Sequence, residues 1–383
     1  MKKKIGIITL HQIINYGGIL QAFALQTVLE RLGFEVEVIE KYMWPRQLSS
    51  AEKMIIYPAR KIKRFLQHKN SSVRREEKAY KKAFEQYYVG ASKTLPFVNK
   101  YIQHRYVYSF SELRSDDYYA LVVGSDQIWR PCMVEAVNMT IKDAYLDFAK
   151  GWDVKRIAYA ASFGVNDWEY SEAETDTCRL LIKKFDAVSC REESGMRFCK
   201  EKLSFPDAVT VLDPTMLLGR HDYDKLFADS PQIDKGELFC YILDDNEITQ
   251  KVVDYIVQNK GWKRFDVIAK SNDVNAPIED RTQPPVEDWL YSFKHAKFIV
   301  TDSYHACVFS IIYQKPFLLI ANKDRGIARY ETLLSTFGLE QRMIHKFDVE
   351  KIDAALAQHI TIDVGLFNEK KDNSIQFLKN CLL

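Results

Sequence analysis

Lys4-Ile5-Gly6-Ile7-Ile8, followed by Asn15-Tyr16-Gly17-Gly18-Ile19-Leu20-Gln21 and, past Gly33, by Val36-Glu37-Val38-Ile39, is the stretch that decides the fold class. Residues 4–8 form a short apolar run, as expected of a parallel strand buried on both faces. Ile19, Leu20, Phe23, Ala24, Val28 and Leu32 then fall close to helical spacing, and Gly33 stands where a C-cap glycine ends a helix. Residues 36–39 open a second strand. Strand, loop, helix, strand is the building block of a parallel α/β sheet.

Similar apolar runs recur along the chain. Strands are expected at 120–123, 156–160, 187–189 and 209–212, and a second series follows at 238–243, 265–269, 298–301 and 317–320. The break near 214–236 divides the chain into an N-terminal unit, 1–220, and a C-terminal unit, 221–365, with a terminal helix at 366–383. Within the first unit the pattern pauses at about 45–118, a polar, basic, Tyr-rich stretch that reads as a helical insertion. Two α/β halves in tandem bring the C-terminal ends of both sheets around a cleft. Ligands of such sheets bind just outside those strand ends, so the informative residues should lie immediately after strands.

The composition narrows the classes. With 383 residues, 47% of them hydrophobic, the chain is long enough for two or three domains with large cores. The 54 Lys+Arg against 52 Asp+Glu leave a net charge of +2, unlike a dedicated nucleic-acid binder. Seven scattered cysteines without a Cys-x-x-Cys pair indicate neither a zinc site nor a disulfide framework. The apolar run after Lys2-Lys3-Lys4 is too short for a signal peptide. No stretch approaches the length of a spanning helix. A cytoplasmic location is expected. Walker A, His-Glu-x-x-His and serine-hydrolase elbow motifs are all missing.

Five stretches follow predicted strands. In the first, Asn15, Gly17, Gly18 and Gln21 surround a strand-to-helix turn; paired glycines admit a ligand close to the backbone, or simply a tight connection. In the second, Gly124-Ser125-Asp126-Gln127-Ile128-Trp129, the polar groups read as substrate binders or as a capped helix start, and Trp129 as a sugar-stacking surface or as core. Arg191, just past 187–189, suits bidentate binding of carboxylate or phosphate, or else forms a surface ion pair. Asp302 and Ser303 lead into a helix that places His305 in its first turn. Arg325 and Arg329 offer two further cations, or lie in a solvated loop.

In this order, Asn15-Tyr16-Gly17-Gly18, Gly124-Ser125-Asp126-Gln127-Ile128-Trp129, Tyr159-Ala160-Ala161-Ser162-Phe163-Gly164, Ser189-Cys190-Arg191-Glu192-Glu193-Ser194-Gly195, Leu212-Asp213-Pro214-Thr215 and Thr301-Asp302-Ser303-Tyr304-His305 resemble the polysaccharide pyruvyl transferase family. The resemblance spans roughly residues 4–340. It implies two Rossmann-like domains with parallel sheets in a glycosyltransferase-B-like arrangement, with a cleft between them. It also implies transfer of a pyruvyl group from phosphoenolpyruvate to a pair of sugar hydroxyls in surface-polysaccharide (exopolysaccharide or capsule) biosynthesis, forming a ketal. His305 would be the catalytic histidine and Arg191 the donor's phosphate or carboxylate ligand, with Asp126 and Asp302 as further acid–base candidates. No metal or cofactor is needed on this route. Two departures stand out. Better-known members carry Arg-Leu-His where this chain has Ser303-Tyr304-His305, so Arg325 or Arg329 would replace the missing arginine. Arg130-Pro131 also stands where related sequences often have Asn-Pro.

A nucleotide-sugar glycosyltransferase of the same architecture is the alternative enzyme. Glu279 and Glu287 have the spacing of its paired glutamates, but Pro284-Pro285 breaks any helix they would share. A non-catalytic polysaccharide-assembly protein is a third reading. Residues 46–82 hold 12 Lys+Arg against three Glu, interleaved with apolar residues. That charge suggests peripheral contact with the inner face of the membrane, beside a lipid-linked oligosaccharide acceptor.

Overall fold

In the computed structural model, residues 2–10, 13–43, 73–230, 235–271, 273–321 and 326–383 are described, with four single positions between 52 and 58. Seven strands form the first sheet: β1 (Lys4–Ile8), β2 (Glu35–Lys41), β3 (His104–Val107), β4 (Ala120–Val123), β5 (Lys155–Ala161), β6 (Ala187–Cys190) and β7 (Val209–Thr210). Their order is β3-β2-β1-β4-β5-β6-β7, with every pair parallel. The central strands are apolar because both faces are covered. Ile5, Ile7, Ile8 and all of Ala120–Val123 are fully buried. Each buried Val, Leu or Ile contributes about 1.5–3 kcal/mol relative to exposure.

The second sheet holds β8 (Leu238–Tyr241), β9 (Arg264–Asp266), β10 (Phe298–Thr301), β11 (Phe317–Ile320) and β12 (Met343–Ile344), ordered β12-β11-β10-β8-β9 and again all parallel. Strand order reverses between β1 and β4 in the first sheet and between β8 and β10 in the second. At such switch points the connections leave in opposite directions and open a crevice.

Four expectations need correction. The sheet resumes at β3, so the insertion ends by 104 rather than 118. β3 is a half-exposed edge strand, His104-Arg105-Tyr106-Val107, and lacks the apolar run that marks a central one. The last strand of the first sheet pairs only over Val209–Thr210; Val211 and Leu212 leave the sheet and join the core. The glycines at 17 and 18 lie inside the helix Tyr16–Arg31 rather than in a turn before it, because Asn15 caps that helix by accepting from the Gly18 amide at 3.2 Å. The two-residue β12 was not anticipated.

The final helix, Val364–Leu382, returns to the first sheet. Lys155 Nζ donates to the Cys381 carbonyl at 2.7 Å, Tyr119 Oη to that of Leu382 at 3.0 Å, and the Leu212 amide to Ser374 Oγ at 3.0 Å. An aromatic joint also connects the two halves. Tyr16 stacks on Trp289 with ring centres 5.2 Å apart and donates its hydroxyl to the Pro284 carbonyl at 2.7 Å. No helix among the described residues is long and apolar enough to cross a membrane. Most of the basic stretch 46–82, with its suggested membrane contact, lies outside the described residues; 73–82 open the helix Val73–Gly90.

Candidate active site

Arg191 is the first residue beyond β6, and the strand end carries it into the seam between the two halves. Its side chain is fully buried, so the surface ion pair allowed by the sequence is ruled out. Nη1 donates to Asp213 Oδ2 at 2.8 Å, and Nη2 lies 3.6 Å from Asp126 Oδ1. The guanidinium carbon sits 4.4 Å from the centre of the Tyr304 ring, a cation–π distance. Nε and Nη2, the remaining edge of the fork, are buried without a hydrogen-bond partner among the described residues.

Asp213 is the hub. It opens the turn Pro214–Leu217, where Oδ1 accepts from the Thr215 amide at 3.0 Å and hydroxyl at 2.7 Å. Oδ2 faces the cleft, accepting from Arg191 and from Ser125 Oγ at 3.2 Å, and lies 3.5 Å from His305 Nε2. Burial alone would push this carboxyl up. The neighbouring His305 and Arg191 and the bond from Thr215 outweigh burial and hold it well below the usual carboxylate range.

His305 comes from the other half. β10 ends at Thr301, whose hydroxyl donates to the Tyr241 carbonyl at 2.6 Å and accepts from the Ser303 amide at 3.0 Å. This turn starts the helix Tyr304–Ile312 immediately and puts His305 in its first turn. The imidazole lies against Gly17, and a Cβ there would overlap the ring. The glycine therefore permits close approach of helix backbone and histidine. Tyr304 lies beneath two cations, with the Arg329 guanidinium 5.5 Å from its ring centre. Burial is the largest influence on its phenol and raises it, so Tyr304 stays neutral.

The model of the polysaccharide pyruvyl transferase family matches residues 15–324. The chain belongs to that family. Membership makes it a polysaccharide-modifying transferase, and its two parallel-sheet domains are glycosyltransferase-B-like. The chain is similar in fold to UDP-N-acetylglucosamine 2-epimerase from Rickettsia bellii, at 10% identity over 100% of this chain and 97% of that one, with a TM-score of 0.50. It is also similar to UDP-GlcNAc 2-epimerase from Neisseria meningitidis, at 10% identity over 99% of each chain, with a TM-score of 0.53. No curated protein matches the sequence.

In this family member Arg191, His305, Asp126, Ser125 and Arg329 converge, and the other predicted residues take supporting places. Asn15 caps its helix. Gln21 Nε2 is spent on Thr9 Oγ1 and the Gly18 carbonyl, at 3.0 and 3.1 Å. Gly124 packs against Ile7 and Thr9. Gln127 Oε1 accepts from Arg130, which grips Glu169 through Nε and Nη2 at 3.0 and 2.9 Å. Ser303 makes no side-chain cap.

Three readings are overturned. Trp129 is fully buried; its indole N–H donates to the Ala144 carbonyl at 3.2 Å and its ring stacks on Tyr145, so it is core and offers no surface to a sugar. Ser125 and Asp126 do not cap a helix: the next one, Pro131–Ala136, starts at Arg130, and Asp126 adopts a left-handed φ of 64°. The Asp302 carboxylate is taken up by the amides of Leu243 and Asp244 at 2.7 and 2.8 Å, so it braces the loop after β8 and is not an acid–base group. Arg325 lies outside the described residues.

Sequence reasoning missed Asp213 as a functional residue, although the Leu212-Asp213-Pro214-Thr215 motif contained it. It also missed Glu192, whose Oε1 accepts from the amides of Phe163 and Gly164 at 2.7 and 3.0 Å. That bond holds the loop on which Gly164 meets Gly326 of the other half, too closely for a Cβ at Gly326. Glu279 and Glu287 fall on separate helices, Ile278–Arg281 and Val286–His295, as the prolines between them require.

Proposed function

We propose that this protein transfers the pyruvyl group of phosphoenolpyruvate to two hydroxyls of a sugar, releasing inorganic phosphate and closing a ketal. The observation that carries the reading is the buried Arg191–Asp213–His305 cluster, built from the strand ends of both domains. The Nε/Nη2 edge of Arg191, which makes no hydrogen bond among the described residues, is the side of a guanidinium that grips two oxygens of a carboxylate or phosphate. Arg329, beyond the Tyr304 ring, supplies a second positive charge for a multiply charged anion.

In this mechanism His305 gives a proton to the methylene carbon, using the electron pair of the C=C bond. The first sugar hydroxyl attacks the neighbouring carbon and returns its proton to the imidazole. The C–O bond to phosphate then breaks, the second hydroxyl bonds to the same carbon, and its proton leaves with the phosphate. Asp213 holds the imidazole and guanidinium in place throughout. A positioned acid–base group of this kind contributes about 10²–10⁴-fold. Arg191 and Asp213 are 2% and 1% exposed, so the donor enters only when the domains part.

Melting with ligands tests the reading. Phosphoenolpyruvate at about 100 times its Kd should add about 2.7 kcal/mol of stability, and UDP should add none. A shift with UDP and none with phosphoenolpyruvate would favour the nucleotide-sugar alternative.

A further inference from the structure

Two arginines and the histidine of the site meet on the ring of Tyr304, and neither the proton transfers nor the ion pairs of the cluster use it. The guanidinium carbons of Arg191 and Arg329 lie 4.4 and 5.5 Å from its centre, both within cation–π range. The His305 ring stands edge-on to it, with centres 5.3 Å apart and planes at 87°, a favoured aromatic arrangement. All four side chains belong to buried residues.

The groups come from both domains. Arg191 follows β6, whereas Tyr304 and His305 open the helix Tyr304–Ile312 and Arg329 lies in the first turn of Ala328–Thr336. The Tyr330 hydroxyl donates to the Asp302 carbonyl at 2.8 Å, which fastens the Arg329 helix to the turn that leads into Tyr304. The Arg329 guanidinium also lies 5.2 Å from the Tyr330 ring centre. Its place is thus set within the second domain, while the contact of Tyr304 with Arg191 crosses the seam. Two cations gathered around one ring repel each other, the more so away from water. A carboxylate between them would relieve the repulsion by cancelling charge. An aromatic face attracts both through its quadrupole and carries no net charge. Burial pushes the Tyr304 phenol up, so the ring stays neutral. Asp213 occupies Nη1 of Arg191, but the ring takes up no guanidinium N–H; Nε and Nη2 make no hydrogen bond among the described residues.

We propose that Tyr304 is a positioning residue whose ring sets the spacing of Arg191 and Arg329, so that the site selects a ligand carrying two separate anionic groups over one carrying a single group. The inference rests on the pyruvyl-transfer reading, in which the carboxylate and the phosphate of the donor meet one arginine each. Calorimetric titration of the full chain with phosphoenolpyruvate, inorganic phosphate and pyrophosphate tests it. The wild type should bind phosphoenolpyruvate about tenfold or more tighter than phosphate. Tyr304→Phe keeps the face and should keep that preference. Tyr304→Leu removes the face and should lose it, chiefly through weaker binding of phosphoenolpyruvate; Tyr304→Met, closer in volume, serves should the leucine variant not fold. A general packing defect would weaken both ligands alike and leave their ratio unchanged. A wild type without the preference, a leucine or methionine variant that retains it, or a phenylalanine variant that loses it as far as leucine does, overturns the role of the ring and leaves the donor standing. A wild type that ignores phosphoenolpyruvate but prefers pyrophosphate to phosphate, with the same contrast between Phe and Leu, keeps the ring and overturns the donor. Binding of none of the three overturns both.

Discussion

Removing the charges of Arg191 and Asp213 from water costs several kcal/mol per ion, and their mutual attraction roughly offsets that cost. The pair therefore adds little net stability, and its value lies in geometry: it fixes the guanidinium edge and the imidazole relative to each other. Arg191→Lys keeps a positive charge opposite Asp213 but loses the planar fork. It should fold, by circular dichroism, and lose about 10²-fold or more in kcat/KM for phosphate release; wild-type turnover would reduce Arg191 to a structural ion. Asp213→Asn leaves the buried Arg191 with only the longer 3.6 Å pairing to Asp126 and should cost about 3 kcal/mol at neutral pH. The pH dependence has a definite sign. Folding holds the Asp213 carboxyl below its unfolded value of about 3.9. Its stabilising effect is therefore complete above about pH 4 and is lost as the pH falls below that. The gap in Tm between wild type and Asp213→Asn should be wide at pH 7 and narrow towards pH 3. A gap independent of pH would sink this account.

At the level of elements, the helix Tyr16–Arg31 carries a local conflict that only its partner explains. An alanine at Gly17 would favour the helix by about 1 kcal/mol on propensity. In the folded chain its methyl would strike the His305 ring. Gly17→Ala should therefore give no gain in Tm and a large fall in kcat, measured on the purified variant; a more stable, fully active variant would contradict the packing. The same contrast governs what could be read beforehand. β1, β4, β10 and β11 were legible because each is an apolar run with nearly every residue buried. β3 and β12 were not, because an edge strand needs cover on fewer sides and a two-residue strand has no period to detect. The places of Arg191 and His305 at the seam were legible because Arg191 directly follows an apolar run and His305 lies in the first turn of the helix after one. Trp129 and Asp302 occupy the same kind of position, yet their side chains turn into the fold.

Across the whole molecule, the last helix ties the C-terminus to the first sheet. Leu378 and Leu382 are fully buried, and Phe377 lies 6.2 Å, centre to centre, from Tyr159 of β5. Leu378→Ala should lower the stability measured by denaturant unfolding by about 2–5 kcal/mol. An unchanged midpoint would mean that the helix is an independent appendage. The sequence by itself determined the two parallel α/β sheets, the helix that follows each central strand, and the placing of Arg191 and His305 at strand ends. Those features depend on hydrophobic period and on residues a few positions apart, which any stretch of chain displays. Only the tertiary structure decided that Asp213 joins Arg191 to His305, that Tyr304 lies beneath two arginines, and that Gly17 makes room for an imidazole on the other domain. Such contacts join residues far apart in the chain, and buried charge is stabilised only by the partners that folding brings within a few ångströms.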